Sequence, residues 1–325
     1  MPFIDPLTLR AGIRARDRAA ALFLHNPRIT LIDLGWKVRD GELTDELAVR
    51  FHVRKKPIGP TYEAFAVQHP ELVLPSESEL GFPVDYIEAT YNSQLWGSFS
   101  PAPTFQRDQI CNPLQGGISI SNEWEYGYGT LGGLVKDRAT GDKMILSAWH
   151  VLAYSAYTRP GLRIFQPGLG DGGTSNNTVA RFTRHAMNQG IDAAVAKLEG
   201  DRSAINEEYE IGSVTGTIEP MMDMRLVKSG RASQVTQGII TGVEGERPIW
   251  YGGFRRKIRH IVHIMQTPEA GEVSRGGDSG SWWLDFVTHK AAALHIAGEN
   301  DPEYALAISM PRVLDALGVE LYGVV

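Results

Sequence analysis

The spacing of apolar positions changes its period along this chain. Between residues 6 and 24, Leu9, Ile13, Ala19, Ala20 and Phe23 recur at helical intervals among arginines. That predicts an amphipathic helix with an Arg-rich outer face. From Ile29 to Val38 the pattern is that of a strand. A turn follows at Asp40-Gly41, and a second strand runs over Leu47–Val53, so the pair reads as a β-hairpin with a fairly long connection. A proline-bearing loop and a strand over Val84–Ala89 complete a small α+β module spanning residues 1–100. Ser98 to Pro113, with Pro101 and Pro103 inside it, reads as a linker. From about residue 116 short apolar runs alternate with Gly, Asn and Asp turns, which fits a mainly β domain built as a pair of barrels. Pro311 to Gly318 places Val313, Leu314 and Leu317 on one face and predicts a closing helix.

Length and composition narrow the class. A chain of 325 residues holds two domains, or one large domain with an extension. With 42% hydrophobic and 22% charged residues it reads as an ordinary globular protein. A net charge of −6 gives no footprint for nucleic acid. The basic clusters Arg54-Lys55-Lys56 and Arg255-Arg256-Lys257 are short and read as solvated faces rather than phosphate grips. The single cysteine, Cys111, excludes an intramolecular disulfide, and with no signal-like N-terminus the chain reads as cytoplasmic. No stretch is apolar enough to predict a membrane span. His260 and His263 lie three apart in a β-like run without an adjacent cysteine or acid, so a surface strand is expected there and no metal site.

The candidate chemistry centres on Gly276-Gly277-Asp278-Ser279-Gly280-Ser281. A serine in so glycine-rich a turn can present its hydroxyl while backbone N–H groups converge beside it; an ordinary surface turn has the same composition. A serine nucleophile needs a base, and the base needs an orienting group. Of nine histidines, His150 alone follows an apolar strand into a small-residue turn, Ser147-Ala148-Trp149-His150. Asp192, in Gly190-Ile191-Asp192-Ala193-Ala194-Val195, stands at the mouth of an apolar run where an unpaired carboxylate would be costly. A structurally satisfied histidine and a strand-capping aspartate are the alternatives that the residues alone leave open.

Taken together, these segments run in the order His, Asp, Ser with separations of 42 and 87 residues. In that order and spacing the chain resembles the chymotrypsin-like serine peptidases rather than subtilisin or α/β-hydrolase folds. Val227-Lys228-Ser229-Gly230-Arg231-Ala232-Ser233 is similar to the Lys-x-Gly-Arg-Thr-Thr segment of bacterial members. Gly129–Val135, Gln166-Pro167-Gly168 with Asp171-Gly172-Gly173, and Val313–Val319 resemble bacterial relatives of the plant narrow-leaf protein. The resemblance covers about residues 105–325. The departures are Ala232-Ser233 in place of Thr-Thr, the bulky Trp149 before the histidine, and Trp282-Trp283 after the serine.

The resemblance implies a chymotrypsin-like double β-barrel in residues 101–325, preceded by the α+β module and closed by the C-terminal helix. It implies a serine endopeptidase acting on protein or peptide substrates without a cofactor. Ser279 would be the nucleophile, His150 the base and Asp192 its orienter, with the N–H groups of Gly277 and Ser279 as the oxyanion hole. The pocket for the residue before the scissile bond would be lined by Val273, His295, Ile296, Ala297 and Gly298. The trypsin-type acid is missing at Val273, and His295 stands where glutamyl endopeptidases place a histidine. Asp278 is the residue that a newly cut amino terminus meets in zymogens, yet no activation site is evident. The N-terminal module is therefore expected to regulate access or to dock a substrate or a partner such as a regulatory protein, and a homo-oligomer stays open. A catalytically silent scaffold and an esterase on the same triad are the competing readings.

Overall fold

The computed structural model describes residues 4–39, 42–56, 66–69, 72–91, 106–153, 155, 157–251, 254–267, 271–300 and 303–324. The Asp40-Gly41 turn and residues 98–105 of the expected linker lie outside them. Two antiparallel barrels dominate. The first follows the ladder Gly133–Asp137, Lys143–Ser147, Ala194–Leu198, Thr178–His185, Arg163–Phe165, Ser119–Asn122 and Gly129–Thr130. It closes because Gly129–Thr130 runs on through Gly132, whose N–H donates to Leu146 O, into Gly133–Asp137. The second comprises Arg225–Gly230, Trp282–Asp285, Lys290–Asn300, Glu303–Ser309, Phe254–Met265 and Gln234–Tyr251. Its closure is the pairing of Arg225–Gly230 with both Trp282–Asp285 and Gln234–Tyr251. This is the expected mainly β double barrel, and the helix Met310–Leu317 follows it with Val313, Leu314 and Leu317 buried.

The N-terminal elements form as the pattern predicts. Asp5 caps the helix Pro6–Phe23 by accepting from Thr8 N at 2.9 Å, with a proline in its first turn. The helix face is not uniformly Arg-rich and exposed: Arg16 is buried and pairs with Glu246 at 3.4 Å. Ile29–Arg39 and Glu42–Val53 pair antiparallel, and Val84–Glu88 adds in parallel.

This small sheet does not stand apart. Gln234–Tyr251 serves two neighbours in succession, pairing first with Arg225–Gly230 and then with Ile29–Arg39, where Leu34 meets Val243 and Gly35 meets Gly242. Strand alternation splits the faces of the N-terminal sheet. Ile32, Leu34, Val49 and Phe51 pack in one apolar cluster with Ala15 and Ala19 of the helix, while Leu31, Ile87 and Tyr91 belong to the core shared with the barrels.

On that inward face lies a fully buried polar chain. Arg50 donates to Asp33 through Nε at 2.8 Å and Nη2 at 2.5 Å. His52 Nε2 stands 3.2 Å from the same carboxylate, and its Nδ1 lies 2.5 Å from the Tyr91 hydroxyl. Tyr91 then meets His263 Nε2 at 3.0 Å, and His263 Nδ1 meets Thr241 Oγ1 at 2.8 Å. One proton arrangement satisfies every link: His52 donates to Asp33, Tyr91 donates to His52, His263 donates to Tyr91, and Thr241 donates to His263. Both imidazoles are then neutral, as burial demands by pushing their pKa values down. His263 is thus a core residue and not part of a surface strand, while His260 has an acidic partner after all, Glu244 at 3.0 Å.

Candidate active site

Strand register brings His150 and Asp192 together. Ala194 pairs with Ser147 across adjacent strands, so the two residues emerge at the same end of that pair. His150 lies in the short helix Trp149–Leu152 that follows Lys143–Ser147. Asp192 lies just before Ala194–Leu198, in the chain leaving the turn Met187–Gln189. One Asp192 oxygen is 2.7 Å from His150 Nδ1, and the other accepts from His150 N at 3.2 Å. The imidazole is held both by its ring and by its own backbone.

Ser279 arrives from the second barrel, in the turn before Trp282–Asp285. Thr130 N donates to Ser279 O at 2.9 Å, and Gly280 N donates to His295 O at 2.9 Å. Gly129 marks how close the two halves come: a Cβ built there would lie 2.5 Å from Val151 and 3.1 Å from Ser279 O. The serine turn and the residue after His150 thus flank the same glycine. Ser279 Oγ is buried and makes no hydrogen bond to a described residue.

Gly277 adopts φ +107°, a region that L side chains avoid, and any Cβ there would collide with the Tyr128 ring. Among the described residues neither Gly277 N–H nor Ser279 N–H donates to another main-chain group. The turn is clamped from beneath by Asp278, whose carboxylate accepts from Lys228 Nζ at 2.9 Å, Arg275 N at 2.9 Å, Ala232 N at 2.9 Å, Ser233 N at 3.0 Å and the Ser233 hydroxyl. Burial alone would raise the Asp278 pKa; the Lys228 charge and the other donors outweigh it and hold the carboxyl below the usual range. Asp278 therefore has its cation inside the barrel.

The expected specificity residues are all buried. Val273 sits in the second barrel's apolar core with Leu226, Ile240 and Trp283, and its main chain is fixed by Glu303 and Thr236. Ile296 and Ala297 belong to the main core, and Gly298 is buried beside them. Trp283 Nε1 donates to His295 Nδ1 at 3.3 Å, which makes Nε2 the protonated nitrogen. Burial, reinforced by the Lys228 charge, depresses the His295 imidazole to about 3, so it is neutral near neutral pH. Glu272 is engaged by Arg275 at 2.7 Å.

Several participants were not singled out from sequence: Lys228 as the partner of Asp278, Thr130 as the clamp on Ser279, and the 123–129 segment. Lys228 did carry a signal, since it stands in the apolar strand Leu226-Val227-Lys228. Tyr128 lies against Gly277 and under the Arg231 guanidinium, 4.1 Å from its centroid. With Ser121, Glu125 and Val151 it bounds a cavity of about 20 Å³ beside His150. Among the described residues no helix is long and apolar enough to cross a membrane.

Two six-stranded barrels, with a His–Asp pair carried by one and a serine turn by the other, are the architecture of the chymotrypsin-like serine peptidases. The chain has that fold. No family model matches it, and no curated protein is similar to it. Similar solved structures include the Nocardiopsis protease NAPase, 16% identical over 64% of this chain and 98% of that one, with a TM-score of 0.49. Thermobifida fusca protease A is 16% identical over 64% and 98% of the two chains, with a TM-score of 0.47. A glutamic-acid-specific serine protease, described as using a histidine triad in substrate binding, is 18% identical over 64% and 100%, with a TM-score of 0.48. These are likenesses of overall shape; the chemistry of the site rests on its own geometry.

Proposed function

We propose that this protein is a serine endopeptidase in which Ser279, His150 and Asp192 form the catalytic triad. The observation that carries the reading is the two-point hold of Asp192 on His150, 2.7 Å to the ring and 3.2 Å to the backbone, together with a buried serine hydroxyl that makes no hydrogen bond to a described residue. Asp192 accepts a hydrogen bond from Nδ1–H, which fixes the tautomer and leaves the Nε2 lone pair to act as base. Ser279 Oγ attacks the carbonyl carbon of a peptide while its proton passes to Nε2. The carbonyl oxygen becomes an oxyanion, for which the N–H groups of Gly277 and Ser279 are available donors. Collapse breaks the C–N bond, and the leaving amine takes the proton back from His150. Water then hydrolyses the acyl-serine by the same route in reverse.

A role for the buried His295 in specificity is proposed on its ring chemistry alone. A neutral imidazole that donates through Nε2 suits a carboxylate or amide oxygen better than a lysine or arginine head. Within the peptidase class, placement beside bacterial relatives of the narrow-leaf protein is proposed only on the sequence segments Gly129–Val135, Gln166-Pro167-Gly168 with Asp171-Gly172-Gly173, and Val313–Val319. The division into residues 1–100 and 101–325, a regulatory role for the first part, and a cytoplasmic location are likewise proposals.

Burial of both Ser279 and His150 favours a second reading, a catalytically silent scaffold on the same fold. A fluorophosphonate probe separates the two. Wild type should be labelled, and Ser279→Ala should lose both labelling and peptide cleavage while keeping the wild-type melting temperature. An unlabelled, inert wild type would establish the scaffold, and cleavage by Ser279→Ala at the wild-type rate would sink the assignment. Turnover of esters but not of peptides would make the protein an esterase.

A further inference from the structure

The two short basic clusters, about two hundred residues apart in sequence, meet in space. Between the N-terminal sheet and the long hairpin of the second barrel lies a cavity of about 290 Å³, near the lower end of small-molecule sites. Arg54 comes from the first cluster and Arg255 from the second; Arg247 adds a third guanidinium, and His25 also lines the space. Thr30 and Thr90 add hydroxyls, and among the described residues no carboxylate lines the space. Glu299 accepts the hydroxyl of Thr90 at 3.0 Å.

These cations are positioned rather than floating. Arg247 is 6% exposed, lies 5.6 Å from the Tyr91 ring centroid and donates to Tyr91 O at 2.7 Å. Arg255 donates to Leu24 O at 2.9 Å, and Arg54 Nε reaches Pro27 O at 3.4 Å. Among the described residues neither Arg54 nor Arg255 forms an ion pair, although the chain as a whole is acidic, with a net charge of −6. Like charges gathered around one cavity repel, and main-chain carbonyls relieve that only in part. A multivalent anion would relieve it directly, and guanidinium forks match phosphate oxygens in geometry.

We propose that this seam is a binding site for a small phosphate-bearing molecule, with the phosphate held by Arg54, Arg247 and Arg255 and the remainder directed toward Thr30 and Thr90. The inference does not depend on the peptidase reading. It replaces the expectation that both clusters are merely solvated faces, because each supplies one arginine to the same cavity.

The test uses the full-length protein. Inorganic phosphate, pyrophosphate and adenosine monophosphate would be titrated by calorimetry at constant ionic strength, with chloride as the control. At least one phosphate compound should bind saturably, at one equivalent per chain. Arg54→Gln and Arg255→Gln, both at exposed positions, should each weaken it at least tenfold, while Arg259→Gln, which does not line the cavity, should not. Melting temperatures without ligand should stay at the wild-type value in all three variants. Absence of saturable binding by any of the three probes, or equal affinity in the Arg54→Gln/Arg255→Gln double variant, would overturn the proposal. If adenosine monophosphate binds and phosphate and pyrophosphate do not, the nucleoside end is part of the recognition; the reverse order assigns the site to the phosphate alone.

Discussion

Replacing Lys228 by methionine tests whether the nucleophile turn is held from below. Lys228 and Asp278 are fully buried and 2.9 Å apart, and Lys228 also lies 5.4 Å from the Trp283 ring centroid and bonds Ser233. Methionine keeps much of the apolar stem and removes only the ammonium. Breaking a buried pair by deleting one partner costs about 3–5 kcal/mol, because the remaining charge is left uncompensated. Here the Asp278 carboxylate keeps the N–H groups of Arg275, Ala232 and Ser233 and the Ser233 hydroxyl, so the loss belongs at the lower end, about 3 kcal/mol. That is a large fraction of a typical stability of about 5–15 kcal/mol. Urea unfolding would measure it, and the fluorophosphonate labelling rate would report on the turn, since Asp278 N bonds Arg275 O and Asp278 O receives Ser281 N. The sign with pH is fixed. Asp278 is held below the ordinary carboxylate range, so its contribution is present above that range and is lost as the pH falls through it. The wild-type advantage over Lys228→Met should therefore shrink on acidification. The double variant with Asp278→Asn should lose less than the sum of the two single variants. A Lys228→Met protein within 1 kcal/mol of wild type, labelled at the wild-type rate, would refute the argument.

Two further substitutions probe other parts of the same chain. Gly277→Ala would force a side chain into φ +107° and against Tyr128; loss of one oxyanion donor should lower acylation by about 10²–10³-fold, and a rate within threefold of wild type would remove Gly277 from the hole. Glu208 is buried with neither carboxylate oxygen hydrogen-bonded to a described residue, and burial raises its pKa well above normal, against a lowering by Arg107. Its stabilising contribution is thus complete below the ordinary Glu pKa and is lost as the pH rises, so Glu208→Gln should gain on wild type by about 1.4 kcal/mol per pH unit above that point, and parallel pH–stability curves would contradict this.

Much of this architecture was legible in the sequence because it is local. The helix Pro6–Phe23, the hairpin strands and the serine turn are set by spacing, caps and glycines within a few residues of each other. The His150–Asp192 contact was legible for another reason: each side chain flanks an apolar run, and neighbouring strands of one barrel put such flanks side by side. Contacts set by distant chain were hidden. Nothing near Arg107 announces that it leaves the apparent linker to donate to Ser229 at 2.7 Å and Gly230 O at 3.0 Å, burying Arg107 completely. Nor does the alternation of Thr30–Arg54 say that Asp33, Arg50 and His52 face a protein core, since charged residues on alternate positions normally mark the solvent side of a strand. Gly35 and Gly242 were the available hint, because on facing strands they leave the room that the Arg50 guanidinium fills.

That same network changes what the N-terminal hundred residues can be asked to show. Their sheet shares Gln234–Tyr251 with the second barrel, and removing them would uncover the edge at residues 242–246. It would also take Leu31, Ile87, Ala89 and Tyr91 out of the common core and strip His263 of its Tyr91 partner. An unsatisfied buried polar group costs about 1–3 kcal/mol, and each lost apolar side chain about as much again. A bared strand edge adds a route to aggregation. Loss of activity on truncation would therefore report the loss of a structural wall before it reported the loss of a regulator. The hairpin also carries Arg255 at the seam cavity and, one residue on, Arg256 at 5.7 Å from the Trp149 ring centroid. Adjacent strand residues point to opposite faces, so one strand touches both the seam and the residue preceding His150. Control by the N-terminal segment is accordingly to be sought through exposed residues of that cavity, with the sheet left whole.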